Sequence, residues 1–308
     1  MMAAPPLCQL RLRVPPPAEE PAAALLEAVF GEAPAVYADV EAGRVELSLY
    51  RPADAPPAAA ELARLRDGLV ELRKMGLLTR APRVVVRPLR PEEWAESWKR
   101  HFRARRFGGR VLVRPSWSRQ RPRRNEVEVV LDPGLSFGTG QHATTAFCLE
   151  QIAALAPPPN TPKKNAPALL DAGTGSGILA IAAVKLGFRP VRAFDFDPEA
   201  VRVARENAVR NGVADRLRPV KRDARRLPAQ PRRRYDVVAA NLVTALLVEL
   251  RDRLTAHVAP GGRILVAGIL REQFPAVRRA YERDGWRLVA DRVEREWRSG
   301  AFQRPERD

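Results

Sequence analysis

Between Leu169 and Ala180 the chain reads Leu-Leu-Asp-Ala-Gly-Thr-Gly-Ser-Gly-Ile-Leu-Ala. This is a short apolar run, then glycines at alternate positions, then the start of an apolar helix. A buried strand that enters a helix through so tight a turn is a building unit of α/β sheets. Glycines leave no Cβ between the backbone and whatever lies on it. The helix that follows opens with N–H groups that have no partner inside the helix. The turn either receives a ligand or is a bare corner between strand and helix.

A dinucleotide fingerprint runs G-x-G-x-x-G, with its third glycine at the helix–strand contact. Here Ile178 holds that place and the third glycine, Gly177, comes one residue early. A pyrophosphate reader is therefore disfavoured. The form G-x-G-x-G after an acidic strand end, Asp171, resembles the S-adenosylmethionine (SAM) loop of seven-strand methyltransferases. Two further strand ends narrow the choice. Val191 to Asp195 is a second apolar run closing on an acid. Asp195 falls about 20 residues beyond Gly173, a separation that suits a ribose. Its carboxylate can accept hydrogen bonds from both ribose hydroxyls. Asp197, just before Pro198, reads as the N-cap of a helix over 199–211 with Gly212 as its stop. Tyr235 to Asn241 is a third run, fit for a central parallel strand. Its terminal amide, Asn241, would face the same crevice as Gly173 and Asp195, beyond the carboxyl ends of the strands.

The chain has 308 residues, enough for two domains, and a net charge of +17 carried mostly by arginine. That balance suits nucleic acid, a ribosomal particle or another acidic surface. The other reading is a general arginine bias over the whole surface. Clusters lie at Arg103–Arg106, Arg119–Arg124 and Arg232–Arg234. Four tyrosines give little sign of a base-stacking platform. Cys8 and Cys148, and the scattered His101, His142 and His257, suggest neither a disulfide frame nor a metal site. There is no basic start followed by an apolar core, and no apolar run of membrane-spanning length, so a soluble cytoplasmic protein is expected.

Residues 1–90 follow their own pattern. Strands at 7–14, 35–40, 44–50 and 83–89 alternate with helices at 21–30 and 58–75, which is the β-α-β-β-α-β order of a ferredoxin-like unit. Pro91 to Arg100 reads as a short helix with Trp94 and Trp98 on one face. A glycine- and hydroxyl-rich loop, Asp132-Pro-Gly-Leu-Ser-Phe-Gly-Thr-Gly-Gln-His-Ala-Thr-Thr145, precedes a helix reaching Leu155. Thr144 and Thr145 can cap that helix or bond a ligand carboxylate. Strands and helices then alternate to the end. Gly261-Gly262 precedes a strand at 263–267, and 286–290 with 293–297 can form a last antiparallel hairpin.

The 131–145 loop resembles the signature of the PrmA family, enzymes that methylate ribosomal protein L-eleven with SAM. The likeness extends to Trp94–Trp98, Arg114-Pro-Ser-Trp117, Asp171–Ala180, Asp195, Asn241 and Glu296-Trp297. It covers essentially everything after about residue 90. The resemblance implies an α/β protein. A ferredoxin-like recognition domain (1–90) and a linker (91–110) would precede a seven-strand, Rossmann-like SAM methyltransferase domain (111–308). It implies Thr145, Gly173, Asp195 and Asn241 as SAM contacts, Asn241 as the catalytic residue and ribosomal protein L-eleven as partner. Neither membrane nor metal is implied, and direct nucleic-acid binding is not required. One departure is Asn241-Leu242-Val243, where the family commonly has Asn-Ile-Leu. Both keep an aliphatic wall.

Chemically, an amine nucleophile must first lose its proton, and desolvation helps it do so. Asn241 would orient amine hydrogens without acting as a base. His142 is the nearest base by sequence, and its other role is to structure the loop. Rival functions are lysine methylation of another protein, such as the electron-transfer flavoprotein β subunit, RNA methylation, and non-catalytic ribosome binding. The absence of Pro-Pro-Tyr/Phe after Asn241 argues against the RNA enzymes.

Overall fold

Residues 7–32, 34–39, 44–89, 102–132, 142–159 and 161–304 are described by the computed structural model. They fall into two units, Met1–His101 and Phe102–Asp308. The helix expected at Pro91–Arg100, with Trp94 and Trp98, lies outside the described residues.

In the first unit, alternation along β1 (Leu7–Val14) sends Leu10, Leu12 and Val14 into a core. Arg11 and Arg13 face the other way, and Arg13 pairs with Glu46 at 2.8 Å. α1 (Glu19–Phe30), β2 (Ala35–Asp39), β3 (Arg44–Pro52), α2 (Ala59–Lys74) and β4 (Val85–Leu89) follow. The sheet order is β2-β3-β1-β4, with every pair antiparallel. This is the strand order of two interleaved split β-α-β units, as the sequence pattern predicts. Leu26 of α1 and Leu65 and Leu69 of α2 complete the core. Pro88 is tolerated because β4 is an edge strand, where a missing N–H costs no ladder bond.

The second unit holds β5 (Arg105–Phe107), β6 (Val111–Arg114), β7 (Val127–Val130), α3 (Ala143–Leu155), β8 (Leu169–Ala172), α4 (Ile178–Leu186), β9 (Val191–Asp195) and α5 (Pro198–Arg210). After these come β10 (Val220–Lys221), β11 (Tyr235–Asn241), α6 (Thr244–Glu249), α7 (Arg251–Ala256), β12 (Val258–Leu270), α8 (Phe274–Glu282), β13 (Arg287–Glu294) and β14 (Trp297–Gln303). Seven strands form one sheet in the order β10-β9-β8-β11-β12-β14-β13. The first five are parallel; β14 alone is reversed, and β13, antiparallel to β14, runs in the same direction as the first five. β5-β6-β7 is a separate small sheet, which the sequence pattern does not reveal.

α4 is apolar nearly all round. The reason is that it packs against β8 and β9 on one side and β7 on the other, so no face meets water. Its single cation, Lys185, reaches out to the Glu128 carbonyl at 2.6 Å. α3, α4 and α5 share one face of the large sheet, and α6, α7 and α8 cover the other.

Beyond shifts of one or two residues at several element ends, three features differ from the sequence expectation. β12 begins earlier than residue 263 and runs through Gly261-Gly262. The terminal hairpin turns at Arg295-Glu296, so Trp297 opens β14 rather than closing a strand. Arg295 makes that turn with φ 55, in a region where the usual glycine cue is missing. Neither threonine caps α3. His142 is the N-cap residue and makes no side-chain cap bond.

Gly177 opens α4 at φ 84, and a Cβ there would stand 3.3 Å from the Ala204 Cα on α5. Gly177→Ala is expected to lose about 2 kcal/mol of stability, from left-handed backbone strain plus crowding against a helix that cannot retreat. A urea titration measures this. An unchanged midpoint would contradict the packing.

Candidate active site

The carboxyl ends of β8, β9 and β11 lie level. Ala172 is the cross-strand neighbour of both Ala240 and Phe194. Asn241, Gly173 and Asp195 are therefore the next residues on three adjacent strands. With strands about 4.8 Å apart, Asn241 and Asp195 face each other across Gly173 at about 10 Å between backbones. From β8 the chain goes to β9 on one side, and β11 joins on the other. That reversal is where open α/β sheets hold ligands.

Asp195 is tied into the glycine turn. Its carboxylate accepts the Gly175 N–H at 2.9 Å and the Asp197 N–H at 3.0 Å. Each oxygen keeps capacity for a further bond. Asp197 caps α5 by accepting the Glu199 N–H at 2.8 Å, with Pro198 as the first helical residue, as expected. Gly173 has φ 76, and a Cβ on it would meet the Leu242 side chain at 2.4 Å. Leu242 thus lies directly over the turn.

Side-chain direction follows from strand alternation. Leu169, Val237 and Ala239 belong to the core under α3 and α4, whereas Leu170, Ala172, Val238 and Ala240 belong to the opposite core. Asp171 and Asn241 continue the first set, so both face the side where α3 carries Thr145. Three buried polar atoms on this side have no hydrogen-bond partner among the described residues: Thr145 Oγ1, Asp171 Oδ1 and Asn241 Oδ1. Native interiors rarely leave such atoms unsatisfied, and a ligand is a standard remedy. Asn241 is held close from beneath, where a Cβ on Gly268 would stand 3.2 Å from its Oδ1.

In the sequence Asp171 is visible only as an acidic strand end. Here it is 1% exposed. Its other oxygen, Oδ2, accepts the Thr174 hydroxyl at 2.7 Å and the Ala180 N–H at 3.2 Å. Burial pushes its carboxyl up to about 6, the two hydrogen bonds oppose this, and Asp195 adds to the rise. The acid is thus bound more tightly to its proton in the folded chain than in the unfolded one. The Asp171 contribution to the stability of the ligand-free protein should fall by about 2–3 kcal/mol as pH rises from about 4 to 6, since the folded state holds the extra proton over that window. Asp171→Asn should remove this contribution, so the wild-type and variant curves should diverge across the range. Urea titrations across this range check it, and parallel curves for both proteins would rule Asp171 out as the source.

Thr144 is buried, and its Oγ1 bonds His142 Nδ1 at 2.7 Å. The His142 ring packs edge-on against Trp297, with centroids 4.8 Å apart. Burial lowers its pKa, while Glu296 and Glu294 pull the other way. These contacts suit a ring that fixes the start of α3. The stretch from Pro133 to Gln141 lies outside the described residues. Two asparagines join the surroundings of the site with no counterpart in the sequence expectation. Asn207 donates to the Ser176 carbonyl at 2.9 Å, and Asn211 grips Val130 through both its N–H and its carbonyl. Both sit four apart on or at the end of α5, where Asn is a poor helix former, and that spacing is the available signal.

The donor set fits a cationic nucleoside better than a pyrophosphate. Asp171, Asp195 and Asn241 bring carboxylate and amide oxygens to the crevice, and the 173–177 turn carries no lysine or arginine. Among the described residues no group of three His, Cys, Asp or Glu could hold a metal, and no helix is long and apolar enough to cross a membrane.

Sheet order, glycine turn and acid together define a Rossmann-like, SAM-dependent methyltransferase. Residues 10–305 match the family model described as Ribosomal protein L11 methyltransferase (PrmA). The chain belongs to that family. Proteins named ribosomal protein L11 methyltransferase from Geobacter sulfurreducens and Azotobacter vinelandii are each 42% identical over 216 residues. The first match covers 70% of this chain and 68% of the relative, the second 67% and 70%. A crystal structure of a ribosomal protein L11 methylase from Lactobacillus delbrueckii subsp. bulgaricus aligns with a TM-score of 0.57 at 29% identity. It covers 67% of this chain and 100% of that one.

Proposed function

We propose that this chain transfers methyl groups from SAM to amino groups of ribosomal protein L11, with Asn241 at the acceptor amine. Thr145, Gly173 and Asp195 would hold the cofactor, and Asn241 would border both. The observation that carries the reading is the set of three unsatisfied buried oxygens, Thr145 Oγ1, Asp171 Oδ1 and Asn241 Oδ1, on one face of the sheet beside the Gly173 turn.

Bound there, SAM supplies an electrophilic methyl group on a sulfonium. The chain's own work is to bind, orient and desolvate. Asp195 has spare acceptor capacity for the ribose hydroxyls, since its two N–H bonds hold the carboxylate still without saturating it. Asp171 offers a fixed, buried negative charge to the cationic part of the cofactor. Leu242, partly buried and set over the Gly173 turn, forms an apolar wall directly after Asn241. An amine drawn against that wall loses water, which favours its neutral, nucleophilic form. Asn241 Oδ1 can accept one of its hydrogens and so direct the lone pair, while alignment of the reactants supplies much of the rate. An amide cannot keep a proton, so the proton leaves to solvent. This work suits a cytoplasmic enzyme.

The test is to incubate the protein with labelled SAM and a mixture of ribosomal proteins, then identify the labelled band by mass spectrometry. Label on L11, with the mass shift on amino groups, is expected. Label confined to another protein would overturn the substrate, and no transfer to any protein would overturn the activity.

A further inference from the structure

In most doubly wound sheets a helix would cover the face of β9 and β10 opposite α5. Here the chain between β10 and β11 does so with almost no helix, and residues 222–234 read Arg-Asp-Ala-Arg-Arg-Leu-Pro-Ala-Gln-Pro-Arg-Arg-Arg. Leu227, 1% exposed, anchors the segment in the core next to Phe194 and Tyr235. Arg253 donates to the Leu227 carbonyl, and Asp223 is spent capping the Arg225 N–H at 2.9 Å. The backbone is therefore pinned at defined points.

The side chains are another matter. All six arginines of the segment are exposed. Only Arg225 has a carboxylate partner among the described residues, Glu249 at 2.7 Å. Arg222, Arg226, Arg232, Arg233 and Arg234 have none there. Arg192 on β9, on the same face as Phe194, adds an exposed cation beside them, also without a carboxylate partner among the described residues. The charges of Arg192, Arg233 and Arg222 all reach the Tyr235 hydroxyl, so residues forty apart in sequence form one patch. Elsewhere in the molecule arginines are commonly paired: Arg106 with Glu126, Arg114 with Glu128, Arg292 with Glu150. Crowding like charges costs folding stability, and the cost is removed when a polyanion neutralises them. The patch also starts at the cofactor crevice, since the Arg222 N–H donates to the Asp195 carbonyl at 2.8 Å.

We infer that the 222–234 segment, with Arg192, is a docking surface for the phosphate backbone of RNA. The inference rests on the ribosomal substrate reading above, because a protein that lives on RNA presents phosphates next to the group to be modified. Guanidinium forks match phosphate oxygens in pairs. The patch offers Tyr235 only buried, at 8% exposure, so it has no platform for stacking bases. Binding should follow the backbone and be indifferent to sequence.

A short labelled RNA hairpin, titrated with the full chain by fluorescence anisotropy from about 50 to 200 mM salt, tests this. The wild type should bind, with affinity falling steeply as salt rises. Combined Arg232→Ala, Arg233→Ala and Arg234→Ala should weaken binding at least ~10-fold and flatten the log–log salt slope by about two to three, the contribution of the lost phosphate contacts. Arg119→Ala, Arg121→Ala and Arg123→Ala together remove the same charge from a different exposed run and should change binding far less. Equal loss in both triple variants would reduce the effect to net charge and overturn the assignment. Absence of RNA binding by the wild type would overturn it too, as would displacement of the hairpin by polyglutamate as readily as by unlabelled RNA. Methylation of isolated L11 by the Arg232–Arg234 variant is a separate readout. If it stays at the wild-type rate while RNA binding is lost, both readings stand. If L11 is never methylated by the wild type, the substrate reading falls independently of the RNA result.

Discussion

Asp195→Ala is expected to weaken SAM binding by about 100-fold while the protein stays folded. The size follows from two charge-assisted hydrogen bonds to vicinal hydroxyls, worth together about 3 kcal/mol in net affinity. The structure adds a second cause. The same carboxylate accepts the Gly175 and Asp197 N–H groups, so its loss also loosens the glycine turn. The fold should survive, since Asp197 still caps α5 and the cores on both faces of the sheet do not involve Asp195. Asp195→Asn should fall between the two, because the amide keeps one acceptor and turns a donor toward a donor. Calorimetry with S-adenosylhomocysteine reads the affinity, and circular dichroism confirms the fold. A folded alanine variant with wild-type affinity would remove Asp195 from the ribose.

Asn241→Ala should lower kcat about 100-fold or more and change cofactor affinity only a few-fold. A preorganised polar group at the reacting centre is commonly worth two to three orders of magnitude in rate, about 3–4 kcal/mol. Asn241 is preorganised: it ends a central strand, Gly268 approaches it from the neighbouring strand, and Leu242 fixes the next residue over Gly173. Truncation leaves a small void rather than an unpaired charge, so the stability change should be modest. Steady-state rates with L11, read beside SAM binding, separate the roles. Equal losses in turnover and cofactor affinity would make Asn241 a cofactor ligand only.

Much of the crevice is legible in the amino-acid sequence. Gly173, Asp195 and Asn241 each close a short apolar run, and a parallel sheet places such ends on one edge. The Asp197-Pro198 cap is readable because both residues carry their function locally. Other features have no local signature. β5 and β6 are three and four residues long and flanked by arginine, so neither length nor periodicity marks them as strands. The Arg295 turn uses a residue that the hairpin rules do not favour. The unusual state of Asp171 depends on burial between β8 and α4, a tertiary fact. Thr145 stands out through the resemblance of its loop; from the residues alone it is as good a helix cap as a ligand group, and in the structure it does not cap α3 and its hydroxyl has no partner among the described residues. The arginines at 232–234 are visible as a cluster, but their conjunction with Arg192 and Arg222 requires the sheet.

A crystal of the full chain grown with S-adenosylhomocysteine tests the site most directly. The ribose hydroxyls should sit on the Asp195 carboxylate, the nucleoside should lie along the Gly173–Gly177 turn, and the sulfur should face Asn241. A nucleoside bound elsewhere, with Leu242 still closed on Gly173 and the three oxygens still unsatisfied, would contradict it.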